Sequence, residues 1–297
     1  MAANSFLNQY KTANIAIKLI VINVVVFLIF NILPWLVQVD NGVLTKYFVL
    51  PTDLLRLVQQ PWSVITYAFL HSGFLHILFN MLFLYVFSKF ILNLFTEKRF
   101  LTIYLLGGIF GGLAFILAYN LLPAFDGSTS LLGASAAVNA IIVFIATYSP
   151  NTPIRLFVFN LKLWHIAAFV VLRDLLTLNS SDNAGGLIAH LGGAAFGYIY
   201  AMQLAKGNDI GLWFEKLMDT VTSWFSSKPK DKKARMRTVH RTTKKKTTKS
   251  TKTKQSSVTK SDQQQQIDAI LDKISKSGYD SLSKAEKDFL FKAGKDN

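Results

Sequence analysis

The stretch that decides the fold is LLGASAAVNAIIVFIATY, residues 131–148. It is apolar enough for a membrane helix, yet Ser135 lies near its start, among a glycine and alanines. A single serine in an apolar helix is usually harmless, because its hydroxyl can bond a carbonyl of the preceding turn. Whether Ser135 is functional therefore depends on whether other polar side chains lie at the same depth in the membrane.

The whole chain is rich in such apolar stretches. Of its 297 residues 51% are hydrophobic and 16% are charged, which is too apolar for an ordinary soluble domain. Runs of about 18 or more apolar residues indicate helices that cross a bilayer. Six candidates are Ile15–Val37, Phe74–Phe95, Phe100–Leu122, Leu132–Tyr148, Leu161–Leu178 and Gly185–Leu204. We predict an all-α, polytopic membrane protein with a six-helix domain over residues 1–206. The first run is too long for a signal peptide, and we expect it to be retained.

A basic segment follows the last apolar run. Residues 228–260 contain fourteen lysines and arginines but one acid, Asp231. We predict that residues 207–261 are a basic, largely disordered linker, most simply a solvated cytoplasmic tail. Contact of residues 228–260 with anionic lipid is a sharper alternative. Nucleic-acid binding is weaker still, and we do not expect it.

The loops between the apolar runs predict an orientation. With six spans, the basic loop residues Lys98, Arg99 and Arg155 lie on the same side as both termini. The loops PAFDGSTS and NSSDNAGG on the other side contain no lysine or arginine. Basic loops favour the cytoplasmic side. We therefore predict a multi-pass protein of the cell membrane with cytoplasmic termini and its polar site near the outer face.

A small helical module is predicted at residues 262–297. Ile267, Ile270, Leu271 and Ile274 share one face at helical spacing. Ser283–Glu286 reads SKAE, which is the capping-box pattern that begins a helix. Two short helices could therefore form a hairpin. A regulatory or partner-docking role for this hairpin is a hypothesis.

Four polar residues lie at matching depths in alternate spans. His76 and Asn80 are a few residues into the second run, Ser135 into the fourth and His190 into the sixth. These three runs point the same way, and a helix rises about 1.5 Å per residue, so all four lie near one surface. Considered alone, each of the four is more simply explained as a structural residue than as a functional one. Together they are candidates for a functional site, because intramembrane ionisable groups are costly.

Their chemistry fits nucleophilic catalysis. A serine hydroxyl needs a base, and we expect His190 to approach Ser135 within about 2.6–3.2 Å. This requires close packing of the fourth and sixth helices through small residues, namely Gly133, Ala136, Gly193 and Gly197. His76 and Asn80, spaced i, i+4, share a face and can donate to an oxyanion, at about 2.7–4 kcal/mol each.

No acid is expected at this site. Asp174 is the only acid inside a candidate span, and we interpret it as a local ion pair with its neighbour Arg173. We therefore predict a Ser–His dyad without a carboxylate to orient the histidine. The chain has no cysteine, and we expect neither a metal nor a cofactor.

These segments resemble the rhomboid family of intramembrane serine proteases over about Asn14–Lys206. The resemblance rests on HSGFLHILFN for the family's H-x-x-x-N, GASA for G-x-S-G and AHLGGAAFG for A-H-x-x-G-x-x-x-G. It implies a six-helix bundle in which Ser135 is the nucleophile, His190 the base and His76 with Asn80 the oxyanion donors. His71 matches a further histidine that is structural in the family. The terminal module is similar to short C-terminal helical domains on some bacterial rhomboids.

Three positions depart from the family pattern. Ala136 follows the serine where the family usually has glycine, and Asn139 stands where many relatives carry an aromatic residue near the base. The stretch SKFILNLFTEKRF lacks a clear match to a Gly and Glu often found near the end of the second span. None of these removes a catalytic group, but they bear on activity and specificity.

The implied function is hydrolysis of a peptide bond in or near the transmembrane segment of a membrane-protein substrate, through an acyl-enzyme on Ser135. The first alternative is a non-catalytic rhomboid-like protein that binds or escorts membrane proteins. A transporter or channel is the second, and the clustering of polar residues near one surface argues against it. The natural substrate and the oligomeric state are left open by the sequence.

Overall fold

The computed structural model describes residues 8–125, 127–156, 158–225 and 260–293. The chain divides into two compact units, Met1–Lys230 and Asp231–Asn297. The first unit contains all of the predicted membrane helices, and the second contains the predicted terminal module.

The first unit is a helical bundle with two small strand pairs. Its helices are α1 (Ile15–Leu36), α2 (Gly42–Thr45), α3 (Leu54–Gln59), α4 (Ser63–Thr66), α5 (Phe74–Leu94), α6 (Glu97–Leu121), α7 (Ser135–Tyr148), α8 (Leu163–Thr177), α9 (Ala184–Ala205) and α10 (Leu212–Phe225). A 3₁₀ turn, Tyr67–Phe69, follows α4. The antiparallel strand pairs are β1 (Leu50–Pro51) with β2 (Ser130–Leu131), and β3 (Pro153–Leu156) with β4 (Phe159–Lys162).

The membrane helices arise where the apolar runs predicted them. Within the described residues, α1, α5, α6 and α9 are 21 to 25 residues long and apolar enough to cross a bilayer. The ends carry local signals, since Asn14 accepts a hydrogen bond from the backbone N–H of Ile17 and Thr96 accepts one from that of Arg99. The prediction of an all-α, polytopic membrane protein is confirmed.

Two helices are shorter than their apolar runs. The fourth run begins at Leu132, but α7 begins only at Ser135, because Leu131 pairs with Leu50 and Gly133 has a φ of +124°. Left-handed backbone of this kind cannot continue into a right-handed helix. The fifth run begins at Leu161, but residues 159–162 form β4 and α8 follows them. With 14 and 15 residues, α7 and α8 are shorter than the four long helices.

The short helix α7 lies at the centre of the bundle. It packs against α9, α6, α8 and α5, and every residue from Ala136 to Ala146 is buried. A helix that is apolar on all sides is stable only when it is surrounded. In contrast, α1 exposes a series of large apolar side chains, among them Val25, Leu28 and Ile29. These exposed side chains place α1 in contact with lipid.

Glycines bring the backbones of neighbouring helices together. A Cβ added at Gly193 of α9 would lie 2.1 Å from the carbonyl oxygen of Ala136, and one at Gly197 would lie 2.3 Å from that of Ala140. On α6, a Cβ at Gly111 would lie 2.5 Å from the Cβ of Ala136. Such distances leave no room for a side chain, so α6, α7 and α9 depend on small residues for their packing.

The first unit extends further than predicted. Residues 207–225 were expected to belong to the disordered linker, but α10 occupies most of them. Asp209 contacts Arg99 and accepts a hydrogen bond of 2.8 Å from the hydroxyl of Tyr200, and Asp219 lies 2.6 Å from Lys98. These contacts attach the segment after α9 to the start of α6. Residues 226–259 of the predicted linker, with nearly all of the segment 228–260 for which lipid contact was the alternative, lie outside the described residues.

The second unit is a helical hairpin of α11 (Lys260–Ser277) and α12 (Lys284–Ala293), with a 3₁₀ turn between them. The predicted capping box is formed. The Glu286 carboxylate accepts a hydrogen bond of 2.7 Å from the backbone N–H of Ser283, whose Oγ accepts one of 3.3 Å from the N–H of Glu286. Lys273 of α11 donates to the same carboxylate at 2.9 Å. This ion pair joins the two helices.

We expect Gly197→Ala to destabilise the bundle by about 1–3 kcal/mol, because the added methyl would collide with the carbonyl of Ala140. The measurement is thermal unfolding of the purified protein in detergent. The matched control is Gly73→Ala, which adds the same methyl where no atom lies within 4 Å. Equal losses in the two variants would show that the contact between α9 and α7 is not tight.

We expect the hairpin to lose stability as the pH falls from about 4.5 toward 2. Hydrogen bonds from Lys273 and Ser283 lower the pKa of Glu286 from 4.5 to about 2, so the folded form favours the carboxylate. Its contribution is complete above the ordinary pKa and is lost on protonation. Amide exchange of α12 would show this dependence, which Glu286→Gln should weaken. The control is Asp288→Asn on the same helix, and an equal effect in both variants would contradict this assignment.

Candidate active site

A partly open cavity of about 910 Å³ lies between α5, α7, α8 and α9. Its lining includes all four residues predicted to carry chemistry, namely Ser135, His190, His76 and Asn80. The rest of the wall is largely apolar, with Phe79, Phe83, Val138, Ile142, Phe169 and Val170 among its residues. Polar groups therefore converge inside an otherwise apolar cleft, which is typical of ligand and active sites.

Ser135 is the first residue of α7. The first N–H groups of a helix have no partner within it, so the backbone beside this serine can donate hydrogen bonds. Within the described residues no hydrogen bond joins the hydroxyl of Ser135 to His190, although both line the same cavity. The expected contact of 2.6–3.2 Å is therefore not formed. Catalytic hydrogen bonds are often long in enzymes without substrate.

His190 has an acidic partner that the sequence analysis excluded. Its Nδ1 lies 2.9 Å from Oδ2 of Asp174, whose side chain is 1% exposed. Arg173 also contacts this carboxylate, at 3.2 Å, but its side chain is 56% exposed. Asp174 therefore does not pair with Arg173 alone, and the prediction that no acid lies beside the histidine is wrong. The packing of α8 against α9 brings together two residues that are 16 positions apart.

His76 points toward the serine. A Cβ added at Gly133 would lie 2.7 Å from Nε2 of His76 and 3.6 Å from Oγ of Ser135, so the ring and the hydroxyl lie on the same side of this glycine. The other ring nitrogen, Nδ1, is 3.1 Å from the hydroxyl of Ser72. Asn80 uses one amide N–H to bond the carbonyl of His76 at 2.9 Å. The amide carries two donors, and the second N–H has no acceptor among the residues that the structure describes.

The other residues named from the sequence surround this group. His71 is buried and its ring packs edge-on against His76, with 5.0 Å between centroids. Burial, together with repulsion from a charged His76, lowers the pKa of His71 to about 4, so it is neutral near pH 7. Gly193 and Gly197 contact the backbone of α7.

The two departures on α7 behave differently. Ala136 is buried against Gly111 of α6 and is not among the residues that line the cavity, so its methyl does not narrow the cleft. Asn139 does line the cavity, and its amide donates a hydrogen bond of 3.0 Å to the carbonyl of Ser135. Asn139 therefore places a polar group one turn below the serine.

Asp174 is the functional candidate that the sequence analysis missed. An acid inside an apolar span is costly without a partner, and this cost was the available signal. Adjacency in the sequence favours Arg173 as that partner and gives no sign of the contact with His190. Within the described part of the chain, no cluster of three or more His, Cys, Asp or Glu residues is placed to hold a metal ion.

We expect Gly133→Ala to destabilise the protein by about 1–3 kcal/mol and to displace His76, because an alanine at this positive φ is strained and its methyl would lie 2.7 Å from the ring. Thermal unfolding in detergent is the measurement. The control is Gly127→Ala, which also has a positive φ but no atom within 4 Å of the added methyl. An equal loss in both would mean that backbone strain, not the ring, accounts for the effect.

Comparison with known proteins connects this geometry to a family. Residues 58–207 match the family model described as Rhomboid domain, and residues 251–292 match a family of unknown function, DUF6576. RHOMBOID-like protein 12, mitochondrial, of Arabidopsis thaliana is 29% identical over 157 residues, which is 49% of this chain and 47% of the relative. Rhomboid protein 1, mitochondrial, of Saccharomyces cerevisiae is 30% identical over 202 residues, which is 65% of this chain and 54% of the relative.

A third relative is Presenilin-associated rhomboid-like protein A, mitochondrial, of Danio rerio. It is 28% identical over 175 residues, which is 56% of this chain and 43% of the relative. The chain thus spans about half the length of the curated relatives it matches. The names of these relatives overturn one expectation, since all three are called mitochondrial and none is assigned to the cell membrane. The predicted cell-membrane location, with cytoplasmic termini, is wrong by this comparison.

Proposed function

The chain belongs to the rhomboid family, and we propose that it is a serine protease that cleaves peptide bonds in or near the transmembrane segments of other membrane proteins. One observation carries this proposal. Ser135 of α7 and His190 of α9 line the same apolar cleft as His76 and Asn80 of α5. A nucleophile, a base and two hydrogen-bond donors thus surround a space that a substrate backbone can enter.

The reaction proceeds in two halves. The Oγ of Ser135 bonds to the carbonyl carbon of the substrate, and His190 takes the hydroxyl proton on Nε2. The bond from that carbon to the leaving nitrogen then breaks, and His190 gives the proton to the released amine. Water attacks the acyl-enzyme with His190 again as base, which frees the acid product and restores the Ser135 hydroxyl.

The oxyanion of each tetrahedral intermediate is held by donors from α5 and α7. With Ser72 donating to Nδ1 of His76, the proton of the neutral ring lies on Nε2, the nitrogen nearest Gly133. The second amide N–H of Asn80 and the backbone N–H of Ser135 complete the set. Removal of one such donor typically costs about 10²–10³ in kcat.

The cleft suits an apolar, locally unwound segment. Phe79, Phe83, Phe169 and Val170 supply an apolar wall beside the polar group. A spanning helix has its carbonyls hydrogen-bonded internally, so a substrate must open before Ser135 can reach one of them. Substrates with glycine, proline or polar residues near the cut are therefore favoured. The names of the relatives favour a mitochondrial membrane as the site of this reaction.

A non-catalytic role, binding or escorting membrane proteins through the same cleft, is the second candidate. It is favoured by the missing hydrogen bond between Ser135 and His190, since an inactive binder needs no such contact. Both candidates use the same apolar wall. They differ only in whether the serine is activated.

Labelling with a fluorophosphonate probe separates the two. We expect the wild-type protein in detergent to be labelled, and we expect Ser135→Ala and His190→Ala to reduce labelling by about 10³-fold or more. The matched control is Ser128→Ala, an exposed serine outside the cleft, which should leave labelling unchanged. A well-folded wild-type protein that is not labelled in detergent or in bilayers would exclude the protease and support the binder.

A further inference from the structure

We propose that Asp174 is a positioning residue that holds His190 in the tautomer able to accept the proton of Ser135. This inference rests on the protease function proposed above. It assigns to the site a third member, on α8, so that the nucleophile, the base and the acid come from three neighbouring helices. The juxtaposition that carries it is the 2.9 Å contact between Oδ2 of Asp174 and Nδ1 of His190.

The burial of Asp174 requires a partner of this kind. A carboxylate that is 1% exposed within an apolar bundle is very costly unless it is paired and hydrogen-bonded. Arg173 supplies part of this pairing, but more than half of its side chain is exposed, and exposed ion pairs contribute little. The His190 side chain is 14% exposed, so its contact with Asp174 is the more shielded of the two.

The contact decides which ring nitrogen carries the proton. An ionised carboxylate can only accept hydrogen bonds, so Nδ1 of His190 must be the donor. In the neutral ring the lone pair is then on Nε2, which is the nitrogen that a general base presents to a serine. When His190 takes the proton of Ser135, the carboxylate also stabilises the positive charge that forms.

Three other side chains that line the cleft are alternative hydrogen-bond partners for Nδ1 of His190. Arg173 on α8 and His76 on α5 are the further charged or titratable groups that line the cleft beside it, and Asn139 on α7 is polar but neutral. Arg173 has no acceptor atom, whereas a neutral His76 and the amide oxygen of Asn139 do. Within the described residues, however, the hydrogen-bond partner of Nδ1 is Asp174.

The kinetic test compares Asp174→Asn with Asp174→Glu in the full-length protein, using cleavage of a fluorogenic transmembrane peptide. We expect Asp174→Asn to lower kcat by about 100-fold or more with little change in KM, because an amide can donate to Nδ1 and so favour the wrong tautomer. Asp174→Glu should restore part of the rate.

Two controls separate positioning from a general loss of structure. Asp182→Asn makes the same change at an exposed acid between α8 and α9, and it should leave the kinetics unchanged. Arg173→Gln removes the other contact of Asp174, and it should leave kcat closer to wild type than Asp174→Asn does. If Arg173→Gln reproduces the effect of Asp174→Asn, the carboxylate acts through the ion pair with Arg173, and the proposal is overturned.

A second measurement does not depend on activity. In wild-type protein labelled with ¹⁵N-histidine, NMR reports which nitrogen of His190 is protonated, with its signal assigned by its loss in His190→Gln. The chain has five histidines, so this assignment is feasible. We expect the proton on Nδ1 in the neutral ring. A neutral ring protonated on Nε2 would overturn the proposal.

The two proposals fail in different ways. Labelling that survives Ser135→Ala would remove the protease function, while the tautomer of His190 would still show whether Asp174 orients the ring. Labelling lost in Ser135→Ala, together with wild-type kinetics in Asp174→Asn, would leave the protease standing and remove Asp174 from its mechanism.

Discussion

The close approach of α7 and α9 is the constraint on which the rest of this structure depends. Gly193 and Gly197 face carbonyl oxygens of α7 at distances that exclude even one methyl group. Because α7 is short and surrounded, it cannot compensate for a larger neighbour by moving into lipid. The same contact places the first residue of α7 and the first turns of α9 side by side, and so brings Ser135 and His190 to one cleft.

The second constraint is that polar groups inside the bundle need partners. Asn23, Asn80 and Asn139 each donate to the carbonyl four residues earlier in their own helix, which satisfies one amide N–H locally. Asp174 has no such local solution, because a carboxylate cannot donate to a carbonyl. Its burial is resolved across helices, through His190. The buried carboxylate is thus paired with the histidine that we propose as the base.

The ends of the bundle are joined by charge rather than by apolar packing. Arg99, at the start of α6, contacts Asp209 and lies 3.6 Å from Glu215, and Tyr200 donates to the same aspartate. These groups are partly buried, which strengthens such contacts relative to those in open solvent. They hold the segment after α9 on the first unit and explain why α10 forms where composition alone favoured a disordered linker.

The sequence by itself determined the helical class, the location of the membrane helices, the capping box of α12 and the set Ser135, His190, His76 and Asn80. These follow from local properties, namely the length of apolar runs, helical periodicity and the rise per residue. The start of α7 was misplaced, because the left-handed backbone at Gly133 and the pairing of Leu131 with Leu50 depend on residues far away in the chain. The contact of Asp174 with His190 was missed for the same reason, since it joins two different helices. Only the packing of α8 against α9 decides whether that carboxylate meets Arg173 alone or also His190, since adjacency in sequence says nothing about which face of a helix a neighbouring helix covers.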